Sequence, residues 1–199
     1  MILITIMIIS SLWDMKIALL AKKGGVGKST LTILLYEALR QAGKTVRIHD
    51  WDAQGTSSKA LELLAPGNGT GGEAEIILYD TPPNLEHTAT SVAVDNADVA
   101  LILTTPSPAD IWESEDAYRF AAARNPQAMQ RIVYNKVRRS TILGRLVDQS
   151  TPEDYQVLGA RLSARECYQH ALAQGWKALD SAAREEVLQL GLAVMSLRP

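Results

Sequence analysis

Residues 15–30 read MKIALLAKKGGVGKST: an apolar strand, a glycine-rich loop and the opening of a helix, in that order. Glycines let a backbone wrap around an anion without Cβ clashes, so that several N–H groups and the helix N-terminus face it together. Gly24, Gly25, Val26, Gly27, Lys28, Ser29 and Thr30 are therefore expected to cradle a phosphate chain. Lys28 is placed to reach the β- and γ-phosphates, and the Ser29 hydroxyl to reach a magnesium ion. A strict G-x-x-x-x-G-K-[ST] loop would have glycine where Lys22 stands, and a further lysine, Lys23, follows at once.

Outward from the loop, Leu31, Leu34, Leu35, Ala38, Leu39 and Ala42 fall at helical spacing until Gly43 stops the helix. Short apolar runs predict a first strand at 16–21 and further strands at 45–50, 75–80, 99–104 and 130–135. Helical patterns predict helices at 57–64, 110–124, 141–149, 163–173 and 181–195. APGNGTGG, residues 65–72, reads as a loop. Strands alternating with helices predict an α/β fold: a doubly wound, mostly parallel sheet with helices on both faces.

The 199 residues suit one such unit, assigned to residues 15–199, with residues 1–14 as an apolar N-terminal extension. That extension reads either as a misassigned start or as an extra edge strand. Its apolar run is far short of the ~20 residues that span a bilayer, and it lacks the leading basic residues of an export signal. Apolar residues at 47% against 21% charged supply a packed core and exclude disorder. Twenty basic against 22 acidic residues give a net charge of −2, so any site for a polyanion must be local. The one cysteine, Cys167, can neither form an internal disulfide nor build a cysteine-rich cluster, and a reducing, cytoplasmic setting fits it.

KGGVGKST resembles the deviant Walker A motif of the ParA/MinD family of P-loop ATPases. Two further segments match that family in order. His49-Asp50-Trp51-Asp52-Ala53-Gln54-Gly55 is similar to its D-x-D-P-Q-G segment, and Ile76-Ile77-Leu78-Tyr79-Asp80-Thr81-Pro82-Pro83 to its Walker B strand and D-T-P-P turn. The resemblance implies that Lys23 is a signature lysine, crossing a homodimer interface to the phosphates of the partner's nucleotide. It implies Asp52 as the residue that positions the attacking water, Asp50 as a support of the Mg²⁺ shell, and Asp80 as a water-mediated Mg²⁺ contact. The chain departs from the pattern at Ala53, where the family usually has proline, and at Trp51, which sits between the two acids.

Asn135-Lys136-Val137-Arg138 opens like the guanine-reading N-K-x-D motif, but a guanidinium offers only donors and cannot accept from guanine, so ATP is favoured over GTP. The resemblance places Asn135 and the loop of residues 159–163, with Arg161, near adenine. Asn135 as a simple turn former is the alternative. Seven basic residues, Arg119, Arg124, Arg131, Lys136, Arg138, Arg139 and Arg145, lie between residues 119 and 147 with no acid among them. They are candidates for holding DNA phosphates without reading sequence; a solvated helix face is the other reading.

Thr105-Pro106-Ser107-Pro108-Ala109-Asp110-Ile111-Trp112 resembles the P-S-P-x-D turn of small ParA-type partition proteins, which lack an N-terminal DNA-reading domain. A ParA-type reading follows. ATP and Mg²⁺ drive a dimer that binds DNA non-specifically, and a ParB-like or cargo-bound partner triggers hydrolysis, which is weak without it. Plasmid, chromosome or another cargo is thereby positioned. A MinD-like regulator at a membrane surface is an alternative, disfavoured because residues 181–199 set Glu185 and Glu186 against Arg184 and Arg198. A metabolic or metal-carrier member of the same superfamily is the other, and one cysteine suits a cluster carrier poorly.

Overall fold

The computed structural model describes residues 15–66, 74–147 and 154–197. The expectations for residues 1–14, for most of the loop at 65–72 and for the end of the helix at 141–149 lie outside the described residues.

Five strands form one parallel sheet in the order β2-β3-β1-β4-β5. They are β1 (Met15–Leu20), β2 (Val46–Asp50), β3 (Ile76–Asp80), β4 (Val99–Thr104) and β5 (Met129–Tyr134). The interior strand β4 is buried at every position, which is why its sequence is continuously apolar rather than alternating. Alternation instead decides which face each residue feeds. Ile17 and Leu19 of β1 enter one core, and Ala18 and Leu20 the other.

The first core is covered by α1 (Lys28–Gln41), α2 (Thr56–Leu64), α6 (Cys167–Gln174) and α7 (Ser181–Met195). The second lies under α3 (Thr88–Asn96) and α4 (Pro108–Arg124). Gly191 lets α7 lie close on α1, since a Cβ there would sit 2.9 Å from the Cβ of Ala38. The expected doubly wound parallel fold is thus present.

Two local expectations need correction. No helix was expected at residues 88–96, because TATSVAVDN carries β-branched residues of modest helix propensity. α3 forms there through burial of Thr90, Ala93 and Val94, with His87 Nδ1 accepting from Ala89 N at its start. The helix expected from residue 163 begins only at Cys167, because residues 156–164 run extended along the outer edge of β5. Ile132 N donates to Gln156 O, Leu162 N to Tyr134 O and Ala164 N to Val137 O, so the open edge of the sheet is paired. The helix expected at 141–149 is present at Ile142–Arg145 (α5), capped by Thr141, and again at Val147, its end lying outside the described residues.

The chain runs β1, β2, β3 on one side of β1 and then crosses to β4 on the other. In such sheets the crevice opens at the carboxyl ends of the strands where the order reverses. The loop of residues 21–27 lies there.

Candidate nucleotide site

A cavity of about 820 Å³ opens at this switch point, lined by Lys23 through Thr30, by Asp52, and by residues from the ends of β4 and β5. Its floor is the start of α1. Gly27 caps that helix in the left-handed region, no side chain caps it, and its first turn holds no acid. The first N–H groups of the helix thus face the cavity with a partial positive charge, an arrangement suited to phosphate.

Glycine is required at position 27 for two reasons. Its φ is +93°, and a Cβ would come 2.5 Å from Asn135 Nδ2. Asn135 Nδ2 donates to Val26 O at 2.8 Å, and Lys136 Nζ to Gly25 O at 2.6 Å. The end of β5 therefore braces the loop. Asn135 is buried, with its Oδ1 taken by Lys136 N, so its side chain holds the backbone of the loop together.

Lys28 is only 6% exposed and donates to Asp80 Oδ1 at 2.9 Å and to the Thr81 carbonyl. A buried ammonium requires such a partner. Asp80 is fully buried, and its second oxygen, Oδ2, has no hydrogen-bond partner. That orphaned acceptor, with the Ser29 hydroxyl on the cavity wall, fits a hydrated Mg²⁺, which takes hard oxygen ligands and keeps several waters.

Asp50 and Asp52 occupy different settings. Both oxygens of Asp50 accept main-chain N–H groups, Oδ1 from Asp52 at 3.1 Å and Oδ2 from Ser58 at 2.9 Å, which ties the turn to the start of α2. Asp52 lines the cavity, and its Oδ1 accepts from Gln54 N. Trp51 turns away between them and stacks on Tyr79, with ring centroids 4.9 Å apart.

Lys23 stands on the rim with its side chain 53% exposed, 3.4 Å from Asp110 Oδ1. Asp110 Oδ2 in turn accepts from Thr105 Oγ1. The adjacent Lys22 bonds to Asp116 at 2.7 Å on the same helix, α4, and the bonded ammonium holds the Asp116 carboxyl below its ordinary range.

The far end of the cavity is lined by Ser163, Arg165, Tyr168 and Leu172, together with Arg138. Arg161 is not among the lining residues. Behind this wall Glu186 of α7 accepts from Ser163, Arg165 and Tyr168. Burial pushes its carboxyl upward, but the bonds from Arg165, Ser163 and Tyr168 outweigh it and leave it below the ordinary range. Burial first, and then the bond to Glu186, raise the Tyr168 hydroxyl. Sequence reasoning missed Arg165, Tyr168 and Glu186, because nothing in an amphipathic helix marks which acid faces a distant loop.

The seven basic residues do not form one surface of like character. Arg119 is held by Glu115 and by the Tyr155 hydroxyl, and Arg124 by Asp95 at 2.6 Å. Arg131 lies part-buried on β5, donating to Gln130 O. Lys136 serves the phosphate loop. Arg138, Arg139 and Arg145 are exposed around α5. Among the described residues no helix is long and apolar enough to cross a membrane.

The chain matches the CobQ/CobB/MinD/ParA nucleotide binding domain over residues 17–176. It is 26% identical over 192 residues to a protein of Halothiobacillus neapolitanus named maintenance of carboxysome distribution protein A, a match covering 81% of this chain and 85% of that one. Two solved structures share its fold. The cell division ATPase MinD of Pyrococcus furiosus superposes with a TM-score of 0.70 at 16% identity, over 93% of this chain and all of that one. A plasmid partition protein of Borrelia burgdorferi gives 0.69 at 16% identity, over 92% of this chain and all of that one. With its glycine-rich cradle, buried Lys28–Asp80 pair and parallel sheet, the chain belongs to the CobQ/CobB/MinD/ParA nucleotide binding domain family.

Proposed function

We propose that this protein is an ATPase that works as a dimerisation switch: ATP joins two copies, the dimer holds DNA without reading its sequence, and hydrolysis releases it. The observation that supports this most is the division of labour between two lysines of one loop. Lys28 is buried on the floor beside Asp80, whereas Lys23 stands on the open rim. An exposed ion pair such as that of Lys23 with Asp110 contributes about 0–1 kcal/mol, little enough for the phosphates of a partner's nucleotide to displace it.

In this reading the N–H groups of residues 24–30 and the Lys28 ammonium hold the β- and γ-phosphates. Ser29 and Asp80 hold Mg²⁺, with Asp50 supporting its shell through the turn it fastens. Bound Mg²⁺ offsets the charge that develops on the phosphates. Asp52 orients the attacking water from the cavity wall. Asn135 braces the loop beneath the nucleotide, Arg161 belongs to the segment paired with β5 beside adenine, and Arg138 disfavours guanine.

Arg138 and Arg139 are the foremost candidates for DNA phosphates, with Arg119, Arg124, Arg131, Lys136 and Arg145 secondary because other groups already hold them. Two weak patches on one duplex reinforce each other through effective concentration, so nucleotide controls DNA affinity through the dimer. A ParB-like or cargo-bound adaptor stimulates turnover. The carboxysome-distribution relative favours a protein assembly as cargo, carried over a nucleoid in the cytoplasm.

Light scattering with a non-hydrolysable ATP analogue tests the switch. The wild type is expected to double in mass and Lys23→Ala to stay monomeric while still binding nucleotide. Asp52→Ala is expected to form a dimer with ATP that persists on DNA. A wild type that binds the analogue but remains monomeric would overturn the proposal.

A further inference from the structure

The far wall of the cavity is fastened to a residue that does not itself line it. The Glu186 carboxylate, on α7, accepts five hydrogen bonds: from Ser163 N at 2.8 Å, Ser163 Oγ at 2.9 Å, Arg165 Nε at 3.3 Å and Nη2 at 2.8 Å, and Tyr168 OH at 2.8 Å. All three donor residues line the cavity. One carboxylate therefore fixes the loop that follows the β5 edge, the guanidinium after it and the first turn of α6.

At the loop end Lys23, Lys28 and Lys136 line the cavity, their ammonium groups held by Asp110, by Asp80 and by the Gly25 carbonyl respectively. Arg165 at the opposite end is held by Glu186 through Nε and Nη2, and Asp180 stands 3.8 Å from its Nη1. Tyr168 is buried and spends its hydroxyl on Glu186, so it shows the cavity its ring. The far wall is thus held rigid, with Arg165 paired and, among the described residues, only Arg138 left as an exposed cation beside it.

We infer that Glu186 is a positioning residue for nucleotide: it pairs Arg165 and locks Ser163 and Tyr168 into the wall against which the base lies once the phosphates occupy the glycine-rich loop. This rests on the reading of the cavity as a nucleotide site. A wall already in place costs less ordering on binding, which is how such a residue raises affinity without touching the ligand.

The test separates the two ends by using a ligand with no base. ATP binding is measured by calorimetric titration, and inorganic triphosphate by its displacement of bound ATP, for the wild type, Glu186→Gln and Tyr168→Phe. Glu186→Gln is expected to weaken ATP about tenfold and leave inorganic triphosphate within about twofold, because the bonds lost lie only at the base wall. Tyr168→Phe, which removes one donor and keeps the ring, is expected to weaken ATP about threefold with the same selectivity. It also provides the measurement should the Gln variant fail to fold. Equal weakening of both ligands would mean a merely structural role and would overturn the inference, as would ATP affinity unchanged in both variants. A wild type that binds neither ligand would instead overturn the nucleotide reading on which the inference stands.

Discussion

At its phosphate end the cavity is walled by an unbroken run, Lys23 to Thr30, whose main chain does most of the work. At the other end its wall comes from Arg138, from residues between 163 and 172, and from Glu186 standing behind them. The first end is local in sequence and depends on glycine geometry and a helix terminus. The second is assembled from separated segments by side chains that bond to one another. A local motif tolerates change elsewhere, whereas an assembled wall depends on its hub.

The sharpest way to break this contrast is to strike the phosphate end at its buried ion pair. Lys28→Ala removes the ammonium and leaves Asp80 buried without a partner, so ATP binding is expected to fall by more than about 100-fold. Stability is expected to fall with it, by about 3 kcal/mol, the cost of leaving half of a buried ion pair. Calorimetric titration and denaturant unfolding measure the two effects.

Gly27→Ala tests whether the two ends are as separate as they look. Its Cβ would meet Asn135 Nδ2 at 2.5 Å, and the φ of +93° disfavours any side chain. The expected loss is about 1–3 kcal/mol of stability, and the brace between β5 and the loop is expected to loosen. Inorganic triphosphate and ATP are then expected to weaken together, unlike their divergence in Glu186→Gln. If only ATP weakens, the brace belongs to the base end instead.

The smallest expected effect is in pH. Glu186 has its carboxyl below the ordinary range in the folded chain, so it contributes stability above the unfolded pKa of about 4.3. That contribution is lost as pH falls from there through the lower folded value. Melting temperature is expected to drop more steeply across this window in the wild type than in Glu186→Gln. Identical slopes would show that the five bonds do not favour the charged carboxylate.

How much of this was legible in sequence follows the same division. The strand, loop and helix of residues 15–41 were readable because apolar period, glycine spacing and the following lysine all describe neighbours along the chain. Asp80 was readable as the acid that ends β3. Its pairing with Lys28, its free oxygen and its complete burial were not, because they depend on β1 and β3 lying side by side. Asn135 was noticed as a residue beside the base, and the structure adds that its amide holds the Val26 carbonyl. The segment expected to start a helix at residue 163 is extended because Leu162 and Ala164 pair with β5 and Glu186 takes the Ser163 amide, partners far away in sequence. The α3 helix was missed because its residues favour helix only once one face is buried.

The sequence by itself determined a parallel α/β sheet and a glycine-rich loop between its first strand and first helix, since hydrophobic period and glycine spacing act between residues a few positions apart. Only the tertiary structure decided that Lys28 is buried while Lys23 is exposed, that Asp50 is spent on main-chain amides while Asp52 faces the cavity, and that Glu186 governs the far wall. Those outcomes depend on which charged groups lose their water and which partners then satisfy them, and desolvation is set by neighbours that only the folded chain brings together.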